Sequence, residues 1–118
     1  MKIVDVKVQC YGYPMIALHR GRFGSAQEAT LGRVLTDGGI EGHATARAQG
    51  GTSGRVISEA VLATAKPRLI GEDPFQREML WHKLWKLDRA SYLPVFVTSA
   101  IDVALWDLAG KKLGVPVW

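Results

Sequence analysis

The apolar residues of this chain change their spacing once, near Ser53. Before that point they recur at every second position, the period of a strand. After it they recur at every third and fourth, the period of a helix. Strands followed by helices, rather than the two alternating, make the expected class α+β: a three-stranded antiparallel meander followed by three helices.

Val4, Val6, Val8 and Cys10 alternate with Asp5, Lys7 and Gln9. This predicts a half-buried strand over residues 2–13 with those four side chains on one face. Beyond Pro14, the stretch His19-Arg20-Gly21-Arg22-Phe23-Gly24-Ser25 breaks both periods and reads as a long loop. Residues 27–36 and 40–49 form two further extended runs joined by Asp37-Gly38-Gly39, where glycine supplies positive φ, so they should pair as a hairpin. In the third strand Gly42, Ala44, Ala46 and Ala48 share one face, small enough for close helix packing, and His43 and Arg47 share the other.

From Ser53, the residues Val56, Ile57, Ala60, Val61 and Thr64 mark one side of a helix that Pro67 should stop. The next start signal combines Asp73 as N-cap, Pro74 at the first helical position and Gln76 at the capping-box position, with a helix expected to about Leu87. Phe75, Met79, Leu80, Trp81, Leu84, Trp85 and Leu87 cover more than one stripe of it, so part of that surface should meet something outside the domain. The last helix opens near Leu93-Pro94 and closes at Gly114, with Pro116 just beyond. Asp107 and Lys111 lie four apart along it and should pair across one turn, as packing rather than catalytic residues.

With 118 residues, 47% of them hydrophobic, there is apolar mass for one modest core and hence one domain over 1–118. The net charge of +4 is dispersed, and its longest basic run is Lys111-Lys112, so no nucleic-acid partner is expected. Charges interrupt the N-terminus too early for a secretory signal. The most apolar helical stretch contains Pro94, Asp102 and Asp107, so no membrane span is expected either. One cysteine, Cys10, excludes an internal disulfide or a multi-cysteine zinc site, fits a cytoplasmic location, and reads as a small buried hydrophobe.

Three features together resemble a known family. They are the strand-loop-strand-strand opening, the segment Leu69-Ile70-Gly71-Glu72-Asp73-Pro74 leading to Leu80-Trp81, and the terminal run Ser99-Ala100-Ile101-Asp102-Val103-Ala104-Leu105-Trp106-Asp107-Leu108-Ala109-Gly110-Lys111-Lys112-Leu113-Gly114-Val115-Pro116-Val117. The last is similar, almost residue for residue, to the first sequence motif of the mandelate racemase and muconate lactonising branch of the enolase superfamily.

The resemblance implies an enolase-like N-terminal capping domain, with residues 115–118 starting the connection to a C-terminal (β/α) barrel absent from this sequence. In the family the barrel supplies the base and the carboxylate ligands of a magnesium ion, which stabilises the enediolate formed when the proton α to a substrate carboxylate is removed. No catalytic residue and no metal ligand carry over to positions here, and no cofactor is expected in this chain alone. The positional role that does carry over belongs to the loops after the first and third strands, which close over substrate. Here they bring His19, Arg20, Arg22 and Phe23, with Arg47 at the end of the third strand. That polar, cationic set suits the carboxylate and hydroxyls of an acid sugar.

The function expected on this resemblance is the specificity domain of a magnesium-dependent acid-sugar dehydratase, inert alone. Racemisation, epimerisation and cycloisomerisation begin with the same proton abstraction and remain open, as does a free-standing binding or assembly module. The expected partners are the domain's own barrel, a small carboxylate substrate and, by resemblance, further copies in a homo-oligomer. Trp81, Trp85, Trp106 and Trp118 are expected as core or interface anchors, and His43 and His82 as structural residues.

Overall fold

The computed structural model describes residues 1–14, 26–46, 54–91 and 93–118. Three strands, β1 (Ile3–Pro14), β2 (Ala26–Thr36) and β3 (Glu41–Ala46), form one antiparallel sheet in the order β1-β2-β3. The meander is therefore present, with Gly39 at φ 73° in the β2–β3 turn. The first pairing runs from Ile3 opposite Thr36 to Pro14 opposite Ala26, and the second from Leu35 opposite Glu41 to Thr30 opposite Ala46.

The simple alternation of β1 fails at its start. Between Ile3 and Asp5 the register advances two residues on β1 for one on β2, the signature of a β-bulge. The extra residue reverses the phase, so Ile3 and Val6 are both buried while Val4 is 51% exposed. Cys10, expected inside, is exposed.

The helical half begins with α1 (Gly54–Glu59), passes through a π-helical segment (Ala60–Ala65) and continues as α2 (Lys66–Leu69). Pro67 does not end this rod as the sequence suggested. It falls in the first turn of α2, where a missing N–H is tolerated, and the helix runs on to Leu69. The next helix, α3 (Arg77–Ser91), starts later than its cap signal. The Asp73 carboxylate accepts the Phe75 N–H at 3.0 Å and its carbonyl accepts the Gln76 N–H at 3.1 Å, which forms a turn before the regular helix. With no glycine or proline before Pro94, α3 also runs past Leu87 to Ser91. The final helix, α4 (Val95–Leu113), has the expected bounds, with Pro94 as N-cap and Gly114 in the left-handed region at φ 69°.

The core lies between the inner face of the sheet and the helices. Ile3, Val6, Val34, Ala44 and Ala46 meet Ile57, Val61, Leu69, Leu80, Leu84, Val97, Ile101, Leu105 and Leu108. The small-residue face of β3 works as its composition suggested. A Cβ on Gly42 would fall 1.9 Å from the carbonyl oxygen of Ala104, so only glycine lets α4 lie this close. The chain between α2 and α3 seals the start of β1, because the Ile3 N–H donates to the Glu72 carbonyl at 2.9 Å and the Gly71 N–H to the Ile3 carbonyl at 2.8 Å. Among the described residues no helix is long and apolar enough to cross a membrane.

Candidate functional site

The two segments expected to reach substrate are rooted at the same end of the sheet. The first leaves β1 after Pro14 and re-enters at Ala26, its direct partner. The second leaves β3 after Ala46, opposite Thr30, and re-enters at Gly54. His19, Arg20, Arg22, Phe23 and Arg47 lie outside the described residues. Their roots do not.

At those roots the Gly54 N–H donates to Glu28 Oε2 at 2.8 Å, and the Thr30 hydroxyl donates to the Gly54 carbonyl at 3.4 Å. Cys10 pairs with Thr30 across the ladder, and its Sγ lies over Gly54 so closely that a Cβ there would be 2.1 Å away. Residues from β1, β2 and α1 thus converge on one backbone unit. The sequence signal that could have located Glu28 is an acid at an inward-facing strand position, two residues before buried Thr30.

A second polar group ties β3 to α4. Asp107 Oδ2 accepts the His43 backbone N–H at 2.7 Å and also pairs with the Lys111 ammonium. Lys111 Nζ reaches the Glu41 carbonyl at 3.1 Å and His43 Nδ1 at 2.7 Å. An ammonium can only donate, so Nδ1 accepts and the imidazole proton sits on Nε2, which lies 3.6 Å from Glu41 Oε2. Burial pushes the Asp107 carboxyl up, but the hydrogen bonds from Lys111 and from the His43 N–H outweigh it and leave the group below the ordinary aspartate range. This arrangement holds β3 and α4 together, and it contains the Asp107–Lys111 pairing across one turn that the sequence predicts.

A cleft of about 570 Å³ opens between α3 and α4, lined by residues including Arg77, Trp81, His82, Asp102 and Trp106. The Arg77 guanidinium lies 4.0 Å from the centre of the Trp106 ring. Trp81 stacks on Trp85 at 4.8 Å and meets His82 edge-on at 5.8 Å. Partial burial raises the Asp102 carboxyl, and the charge of Arg77 only partly opposes this. The cleft gathers two of the tryptophans expected as anchors, Trp81 and Trp106, around a charged pair that was not among the expected site residues. Its signal was present, since Arg77 and Trp81, and Asp102 and Trp106, are spaced by four and so share faces.

Among the described residues no group of three or more His, Cys, Asp or Glu side chains is arranged to hold a metal ion.

The family model described as mandelate racemase / muconate lactonizing enzyme, N-terminal domain, matches residues 3–118. The chain belongs to this family. Among the relatives of this mandelate racemase / muconate lactonizing enzyme N-terminal domain is a D-mannonate dehydratase of Sphingomonas sp. (strain SKA58). It is 33% identical over 123 residues, a match covering 99% of this chain and 26% of the relative. A D-galactonate dehydratase of Verminephrobacter eiseniae (strain EF01-2) is 35% identical over 88 residues, covering 73% of this chain and 22% of the relative. The chain thus spans about a quarter of the length of these curated relatives. Of the solved structures, an isomerase from Streptomyces coelicolor A3(2) superposes with a TM-score of 0.78 at 32% identity, covering 98% of this chain and 29% of that one. The muconate lactonizing enzyme of Pseudomonas putida superposes with a TM-score of 0.81 at 27% identity, covering 99% and 31%. The family fold is the α+β arrangement described above, a three-stranded antiparallel sheet followed by helices.

Proposed function

We propose that this chain is the capping and substrate-specificity domain of an enzyme that removes the proton α to a carboxylate and eliminates water from an acid sugar. The observation that carries this reading is the match along nearly the whole chain to a D-mannonate dehydratase, supported by the second dehydratase relative. The common rooting of the segments after β1 and β3 supports the capping role, because two segments leaving one end of a sheet can face one ligand.

In this proposal His19, Arg20, Arg22, Phe23 and Arg47 contact substrate, the cations holding its carboxylate and hydroxyls. The base and the ligands of magnesium are contributed by a barrel continuing beyond residues 115–118. When bound there, magnesium stabilises the negative charge that builds on the substrate carboxylate as its α-proton leaves. The contribution of this domain is to bind, orient and exclude water, and the barrel decides the reaction outcome.

The test is an assay of the longer protein carrying this domain, with magnesium, against D-mannonate, D-galactonate and other aldonates. The reading expects a 2-keto-3-deoxy acid from at least one of them. Epimerised or lactonised product instead would assign a different reaction to the same family. An absence of any carboxylate substrate, or of any longer protein, would favour a binding module.

A further inference from the structure

We propose that Glu28 is a positioning residue that locks the roots of the two substrate-facing segments together through the backbone of Gly54. The inference rests on reading those segments as substrate-facing, but the contacts that carry it are independent of any ligand.

Four observations meet at this point. Glu28 belongs to β2, only two residues from Ala26, where the first segment ends. Gly54 is where the chain returns from the second segment. Their hydrogen bond, 2.8 Å long, joins residues 26 apart in sequence. It satisfies a donor at the start of α1 that the helix itself cannot satisfy, and it places a carboxylate where the helix N-terminus favours negative charge.

The neighbours of Gly54 leave it little freedom to move. Thr30, 1% exposed, supports its carbonyl, and a Cβ at position 54 would lie 2.1 Å from Cys10 Sγ and 2.9 Å from Glu28 Oε2. A side chain at position 54 would have to push aside the Cys10 sulfur and the Glu28 carboxylate, so glycine is what lets both side chains lie against this backbone unit. One carboxylate thereby ties the two roots, β2 near Ala26 and the start of α1, to each other. For a domain that orients a small polar substrate, that relation is what must be reproducible.

The experiment compares amide hydrogen exchange in the full 118-residue chain and in its Glu28→Gln and Glu28→Ala variants. Glu28→Ala is expected to speed exchange at Gly54 by about tenfold, the consequence of one lost hydrogen bond to a charged acceptor. It should also speed exchange at the end of the β1–β2 ladder, Tyr11 to Tyr13 and Gln27 to Ala29. Glu28→Gln retains an acceptor oxygen and is expected to restore most of the protection at both places. Faster exchange at Gly54 alone would reduce Glu28 to a local helix cap and overturn the proposal, as would equal exchange in all three proteins.

A second variant pair guards against a misfolded Glu28→Ala. Gly54→Ala is expected to lower the melting temperature, and adding Cys10→Ala should recover part of the loss by removing the sulfur. No recovery would mean that the Cys10 sulfur does not lie against Gly54, and would count against the proposal. None of these readouts needs substrate, so they hold or fail separately from the dehydratase assay.

Discussion

Asp107 on α4 accepts the backbone N–H of His43 on β3 at 2.7 Å, joining residues 64 apart in sequence. The contact matters because β3 is an edge strand, whose outward N–H groups would otherwise be open to water or to another chain. Lys111 completes it by pairing with the same carboxylate oxygen and donating to the Glu41 carbonyl.

Asp107→Ala is expected to destabilise the chain by about 1.5–3 kcal/mol, the cost of losing a charged acceptor for a backbone donor. Asp107→Asn, which keeps an acceptor oxygen, should cost less. The pH dependence follows from the lowered carboxyl. Its folded pKa lies below the ordinary 3.8, so its stabilisation is complete above that value and is lost as pH falls through the folded pKa. Urea unfolding of parent and Asp107→Ala should differ near neutrality and converge in strong acid.

Two glycine substitutions should fail for different reasons. Gly42→Ala puts a methyl 1.9 Å from the Ala104 carbonyl oxygen and 2.8 Å from Leu108 Cβ, so α4 must move off the sheet. A cost of about 3 kcal/mol is expected from such overpacking. Gly114→Ala meets nothing within 4 Å but must hold φ at 69°, a purely conformational cost of about 1 kcal/mol. Thermal unfolding ranks the two, and equal losses would contradict this account of the α4 contact.

Asp102→Asn is expected to raise stability slightly near neutral pH. Burial holds the folded carboxyl above its unfolded value of 3.8, so its ionised form opposes folding. The sign is opposite to that of Asp107. Stability should fall as pH rises from 3.8 through the raised folded value, and that fall should be missing in the variant. Melting temperatures across this range check it.

The helix faces left open to solvent should make the isolated chain bind a hydrophobic dye or self-associate. Met79, Trp85, Val103 and Trp106 are 44%, 37%, 55% and 45% exposed, large apolar side chains that α3 and α4 leave uncovered. Replacing Trp85 and Trp106 by glutamine should reduce dye fluorescence and sedimentation-detected association together. A dye-silent, strictly monomeric parent chain would count against a docking role for this surface.

The sequence by itself determined the order of elements and the ends of α4. Periodicity and capping act between residues a few positions apart, so Pro94 and Gly114 specify their boundaries wherever the helix later packs. The close seating of α4 was half legible, as small residues at 42, 44 and 46, although which carbonyl Gly42 would touch was not.

Tertiary structure decided the rest. One extra residue in β1 turned Val4 outward, because facing depends on pairing with a strand thirty residues away. Pro67 stayed inside a helical rod because the π-helical segment before it let the rod restart. Asp73 shaped a turn before the helix that it seemed to start. The Glu28–Gly54 contact, the clasp of His43 by Asp107 and the cleft beside Asp102 each join segments tens of residues apart. Local spacing marks which of these residues share a face, but which segments meet is set only once sheet register and helix packing are in place.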